Sequence, residues 1–242
     1  MKNSLILQKN TNKIITHYLN NIYSKILYED NHVIIVNKDS KIPVQGDKTQ
    51  DITLIDIFKL YIQKKYNKPG NVFLGLPHRI DRPSSGIIVL CKTSKSLSRI
   101  TSLFREKKIY KTYHVYLHKQ IINYPNKLIH FLKKNKQMNK SFVKNKQTPG
   151  YLKAELSYKL IESNQNNYIY EVKLITGRHH QIRAQLSHIG SPIKGDLKYG
   201  AKKPNIDRSI CLHAHKIEFI HPIQNKNIII TSPRPNKEFW KI

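Results

Sequence analysis

Apolar residues recur along this chain in two rhythms, and the rhythm changes mark the elements. Residues 26–38, ILYEDNHVIIVNK, read as two short strands around a turn at Asn31-His32. Residues 53–66 switch to helical period, with Leu54, Ile57, Phe58, Tyr61 and Ile62 on one face. Thr53 is the expected cap, with Asp56 three residues on. VFLGL (72–76) and GIIVLCK (86–92) read as strands, the second apolar enough to be buried on both faces. Thr93 or Ser94 then caps a helix carrying Leu97, Ile100, Leu103 and Phe104.

The second half is richer in strands. IYKTYHVYLH (109–118) has the tyrosine and valine content of one. YLKAELSYKLI (151–161) and YIYEVKLI (168–175) alternate around NQNN and predict a hairpin. Residues 176–190 return to helical period through Ile182, Leu186 and Ile189. LHAHKIEFIHP (212–222) and NIIITS (227–232) read as closing strands. The expected fold is α+β, a mixed and mainly antiparallel central sheet flanked by helices. Residues 1–25 are polar and read as an N-terminal extension, and 26–242 as one domain.

Charge changes the picture. Lys+Arg number 43 against 15 Asp+Glu, a formal net charge of +28 over 242 residues. A compositional drift toward lysine, asparagine and isoleucine accounts for part of the excess, but acidic residues this scarce point to a polyanionic partner such as nucleic acid. The lysine-rich run 133–146 reads as a solvated loop or insertion. Cys91 and Cys211 stand far apart in apolar runs, which indicates buried thiols and neither a zinc site nor a disulfide framework. No apolar stretch approaches the ~20 residues of a membrane-spanning helix, and the N-terminus lacks a secretory pattern, so the cytoplasm is the expected compartment. A monomer is the default expectation.

Two segments concentrate chemistry. In LGLPHRIDRPSSGIIVLCK (74–92), His78, Arg79, Asp81 and Arg82 crowd between apolar strands, where Pro83, Ser84, Ser85 and Gly86 force a turn. Neighbouring cations favour an ionised Asp81, as a nucleophile requires. In ITGRHHQIRAQL (175–186), Gly177 permits an abrupt turn, Arg178 opens the helix, and Arg183 would hold Asp81 ionised if its face turns toward it. His179 and His180 are adjacent and do not share a helix face, which argues against a metal site. A third segment, KKIYKTYHVYLH (107–118), interleaves aromatic rings with Lys111 and suits base stacking in a basic cleft.

Taken in order, these segments resemble the RNA pseudouridine synthases related to the bacterial dual tRNA/ribosomal-RNA enzyme. HRIDRPSSG is similar to the motif that carries that family's catalytic aspartate, which falls on Asp81. Lys111-Thr112-Tyr113 looks like its K-x-Y motif, and TGRHHQIRAQL like its third motif, with Arg183 at the basic partner of the aspartate. SPIKGDLKYG (191–200), LHAHKIEFIHP and ILYEDNHVIIVNK, with Lys38 at the usual lysine, also follow the pattern. Asp39 stands where proline is usual, and Ser84 where threonine is common. The resemblance implies a pseudouridine synthase catalytic domain over 26–242, needing no metal or cofactor, that isomerises uridines of rRNA or tRNA. It implies catalytic roles for Asp81, Tyr113 and Arg183. Substrate contacts are expected from His78, Arg79, Arg82, Lys111, Arg178, His180 and Gln181, with Arg79 filling the stack a flipped base leaves. Residues 1–25 are too few for the RNA-binding module many members append, so capture is expected to rest on the catalytic domain. The competing expectation is a catalytically idle ribosome-assembly factor on the same fold.

Overall fold

The computed structural model describes residues 16, 18–46, 50–122 and 124–242. Among the described residues, ten strands join one mixed sheet. β1 (Ile26–Glu29) and β2 (Val33–Lys38) form the expected hairpin, and β2 pairs antiparallel with β3 (Ser85–Cys91). Every residue of β3 is buried, as its unbroken apolar run requires. Among the described residues, the one parallel pairing joins β3 to β9 (Leu212–Ile220) through Ser85 and Gly86 opposite His213 and Ala214. β9 then pairs antiparallel with β10 (Asn227–Thr231) and β4 (Tyr110–Leu117). β8 (Asn167–Leu174), β7 (Leu152–Asn164), β5 (Lys127–Asn135) and β6 (Lys140–Lys144) complete the sheet.

Four α-helices are described: α1 (Ile22–Lys25), α2 (Leu54–Lys65), α3 (Ser94–Arg105) and α4 (Gln181–His188). The Thr53 hydroxyl accepts from the Asp56 N–H while Asp56 accepts from the Thr53 N–H, the expected reciprocal cap of α2. Thr93, rather than Ser94, caps α3 in the same way with Ser96. The apolar stripe of α2 is buried in a continuous core that takes in β2, β3, β4, β8 and β9. Tyr18 and Ile22 join that core, so the end of the N-terminal segment packs on the domain; residues 1–15 and 17 lie outside the described residues.

Three expectations change. Residues 72–76 form no strand; on the edge of β3 away from β2 only Gly75 bridges to Cys91, and the Val89 N–H donates to the His78 imidazole instead of to a strand partner. The lysine-rich run 133–146 is the end of β5, the turn and all of β6 rather than a loop, with Ser141 buried inside it and Leu132 just before it. Gly86 does not turn the chain. The turn lies earlier, where the Ser84 N–H donates to the Asp81 carbonyl. Gly86 instead lets two strands approach: its φ is +112°, and a Cβ there would lie 2.3 Å from the Ala214 carbonyl oxygen.

Candidate active site

Asp81 stands in the turn just before β3 and lines a cleft of about 880 Å³. The two residues after it are anchored. The Ile210 N–H donates to the Pro83 carbonyl, the Lys41 N–H to the Arg82 carbonyl. Lys38, fully buried at the end of β2, donates its ammonium protons to the carbonyls of Asp39, Ile42 and Arg82. Burial lowers the Lys38 amine to about 7, with Asp39 and Asp81 opposing that fall. Backbone this heavily tied presents its carboxylate at a fixed place.

Arg183 meets Asp81 from α4. Its Nη1 donates to Asp81 Oδ2 at 2.7 Å, while Nε and Nη2 grip the two oxygens of Asp196 at 2.7 and 2.8 Å. Arg183 and Asp196 are both buried, so the bidentate fork holds the guanidinium rigid and leaves Nη1 for Asp81. Burial pushes the Asp81 carboxyl up, but the charges of His180 and Arg183 and the Arg183 hydrogen bond outweigh it and hold the group below the ordinary carboxylate range. Burial drives His180 down to about 3, so at neutral pH its imidazole carries no charge and Arg183 is the operative cation. His180 Nε2 lies 3.7 Å from Asp81 Oδ2, beyond a hydrogen bond, and its Nδ1 engages the Tyr199 hydroxyl at 3.0 Å. Tyr113 lines the cleft from β4. Burial first, and the Asp81 charge second, keep its phenol protonated well above the usual tyrosine range.

A partly buried, ionised carboxylate with one open side, a phenol lining the same cleft and a rim of cations form a site for an anionic substrate with a reactive carbon. A family model described as RNA pseudouridylate synthase matches residues 32–188. This chain belongs to that family. It is 33% identical over 242 residues to the ribosomal large subunit pseudouridine synthase C of Buchnera aphidicola subsp. Schizaphis graminum, covering 95% of this chain and 73% of that protein. With the protein of the same name from Buchnera aphidicola subsp. Baizongia pistaciae it shares 35% over 219 residues, 86% of this chain and 66% of the relative. Among solved structures, human RNA pseudouridylate synthase domain containing 4 has the same fold, with a TM-score of 0.75 at 19% identity over 95% of this chain and 94% of that one. The α+β expectation therefore stands, and the chain is an RNA pseudouridine synthase, an isomerase.

The remaining expected residues of the synthase fall into two groups. Arg79 is exposed at the cleft, and Arg178 lines it with Nε bonded to the Lys153 carbonyl. Lys111 also lines it, two residues before Tyr113 on β4. The others serve the frame. His78 lines the cleft wall, but its Nε2 accepts the Val89 N–H and its ring packs on Phe104, while burial lowers it to about 3. Gln181 accepts from Thr176 Oγ1 and the Arg178 N–H and donates to the Glu155 carbonyl, locking the loop before α4. Arg82 is not among the cleft residues; it bonds the Lys41 carbonyl and pairs with Asp51.

The turn into α4 differs from the reading of Gly177. The left-handed residue is His180, with φ 52°, and the helix begins at Gln181, not Arg178. Two polar residues of the site escaped the sequence reading. Asp196 lay inside SPIKGDLKYG without an assigned role, and in the same segment the Tyr199 hydroxyl accepts the Ser141 N–H and engages His180 Nδ1. Two adjacent polar signals existed, the acid after Gly195 and the tyrosine three on, but nothing local in sequence said which arginine they would face.

Proposed function

We propose that this pseudouridine synthase isomerises specific uridines of large-subunit ribosomal RNA in the cytoplasm, with Asp81 as the catalytic carboxylate. The observation that carries the role of Asp81 is its ion pair with an arginine itself fixed by Asp196. Held ionised, Asp81 either attacks C1′ of the sugar or removes the proton at C2′; both routes break the bond from C1′ to uracil N1. The base then turns and rejoins through C5, N1 gains a proton, C5 loses one, and no redox change or metal is involved. In this reading Tyr113 supports the base with its ring, a role supported by its place in the cleft lining. Arg183 keeps Asp81 charged and aimed.

A uridine inside folded RNA is out of reach of a carboxylate, so the nucleotide must leave its stack at a cost of a few kcal/mol. The exposed Arg79 at the cleft is the group we assign to the vacated space. The net charge of +28 supports capture of a long polyanion, with phosphate contacts that weaken steeply as salt rises. The names of the similar bacterial proteins favour the ribosomal substrate. Incubation with unmodified large-subunit rRNA and, separately, with unmodified tRNA, followed by chemical mapping of pseudouridine, tests this reading. Discrete new sites in the rRNA are expected. Sites in tRNA alone would replace the substrate, and no sites in either RNA despite tight binding would favour an idle assembly factor.

A further inference from the structure

Lys111 is a cation without a counter-charge. Its ammonium lies 5.5 Å from the centre of the Phe104 ring and close to Gly177, and among the described residues it makes no hydrogen bond or ion pair. Burial lowers its proton affinity, and no acidic neighbour restores it. Leaving a desolvated ammonium unpaired is costly, and most such groups find a partner. Of the other cations lining the cleft, Arg183 is buried but paired with Asp81 and Asp196, whereas Arg79, Arg105, Lys107, Lys173 and Arg178 are exposed, where hydrated phosphates can reach them. Lys111 is set deeper, beside Tyr113: residues two apart on a strand share a face about 7 Å apart.

The reaction creates one negative charge at such a depth. When the bond from C1′ to N1 breaks, its electron pair stays with the base. The resulting uracil anion spreads its charge over N1, O2 and O4. When C5 attacks C1′, the pair moves into the new bond and the charge is gone. Resting on the reading above, we infer that Lys111 is a catalytic residue whose ammonium hydrogen-bonds a carbonyl oxygen of the uracil and stabilises the departing anion. It stays protonated throughout and transfers nothing. The neutral base of the ground state gains little from it, so the interaction is realised mainly as charge develops, which is where binding accelerates a reaction.

The test pairs Lys111→Met and Lys111→Arg with the wild type in single-turnover assays on the mapped rRNA, alongside RNA affinity and thermal melting. Lys111→Met is expected to keep its melting temperature and to bind RNA within about threefold of the wild type, while the chemical step slows by about 10²–10³-fold, the range for loss of one preorganised donor. Lys111→Arg should recover part of that rate. With 5-fluorouridine at the target, whose base leaves as a weaker base, the deficit of Lys111→Met should shrink, read as slower or faster loss of intact 5-fluorouridine. An unchanged rate, or weakened RNA binding with an unchanged chemical step, would overturn the inference; the second result would make Lys111 a phosphate anchor. A separate arm needs no RNA. 5-Nitrouracil, an anion near neutral pH, should bind the wild type more tightly than neutral uracil does, and Lys111→Met should lose that preference. Anion preference without rRNA turnover by the wild type would bring down the substrate reading alone, and turnover without it would bring down the role of Lys111.

Discussion

In the proposed reaction, Asp81 works only as well as the arginine beside it is held. Arg183 spends two of its three donor nitrogens on Asp196, a fully buried carboxylate, and one on Asp81. Asp196→Ala would leave the guanidinium buried with a single partner. Breaking a buried pair costs about 3–5 kcal/mol, and the low end is expected because Asp81 still pairs; urea unfolding measures it. Activity should fall as well, since Arg183 loses the fork that aims it. Stability within 0.5 kcal/mol of wild type, roughly the range of an ordinary surface substitution, would contradict the role given to Asp196. Asp81, Tyr113 and Arg183 were legible in the sequence because a motif names them. Asp196 was not, since its meaning depends on an arginine thirteen residues away across a helix and two turns.

At the scale of elements, periodicity located strands and helices but not their special backbone. The β1–β2 hairpin, α2 with its Thr53–Asp56 cap, α3 and the β7–β8 hairpin all follow from local pattern. Residues 72–76 looked like a strand from their apolar run, and Val72 and Leu74 are indeed buried, yet pairing stops at Gly75 because the next N–H along that edge of β3, that of Val89, is taken by the His78 side chain. The lysines of 133–146 hid the β5–β6 hairpin, since a strand facing solvent tolerates charge on alternate residues. Gly86 was read as a turn former, but its requirement arises between β3 and β9, which are remote in sequence. Gly86→Ala should therefore destabilise the fold by about 3 kcal/mol or more, through a strained positive φ and a backbone clash. An unfolding midpoint equal to wild type would show that the two strands can part without cost.

For the whole molecule, the balance of charge dictates a response to acid. Burial is the leading cause that lowers His78, His114 and His180 to about 3, and His130, His179 and His213 to about 4. In the unfolded chain these imidazoles take protons below an ordinary value near 6.5. Between about 6.5 and 4 the unfolded state thus binds more protons than the folded one, so stability falls as pH falls. Carboxylates whose folded values are lowered, Glu29 at about 2 among them, add stability that is lost lower still, as pH falls through their folded values. Urea midpoints should decline steadily from pH 7 to pH 4.5. A flat profile would mean that these imidazoles open to water without disturbing the fold.

The central claim is that Asp81, held ionised by the Arg183–Asp196 fork, breaks the uracil bond in ribosomal RNA. It is tested most directly by tritium release from unmodified large-subunit rRNA labelled at uracil C5, with the wild type and Asp81→Asn compared at equal RNA occupancy. The account predicts release by the wild type and a rate lower by on the order of 10³-fold or more in Asp81→Asn, a loss expected when a reacting group is removed, with the melting profile of a folded protein. Release by Asp81→Asn at a rate near that of the wild type would contradict it.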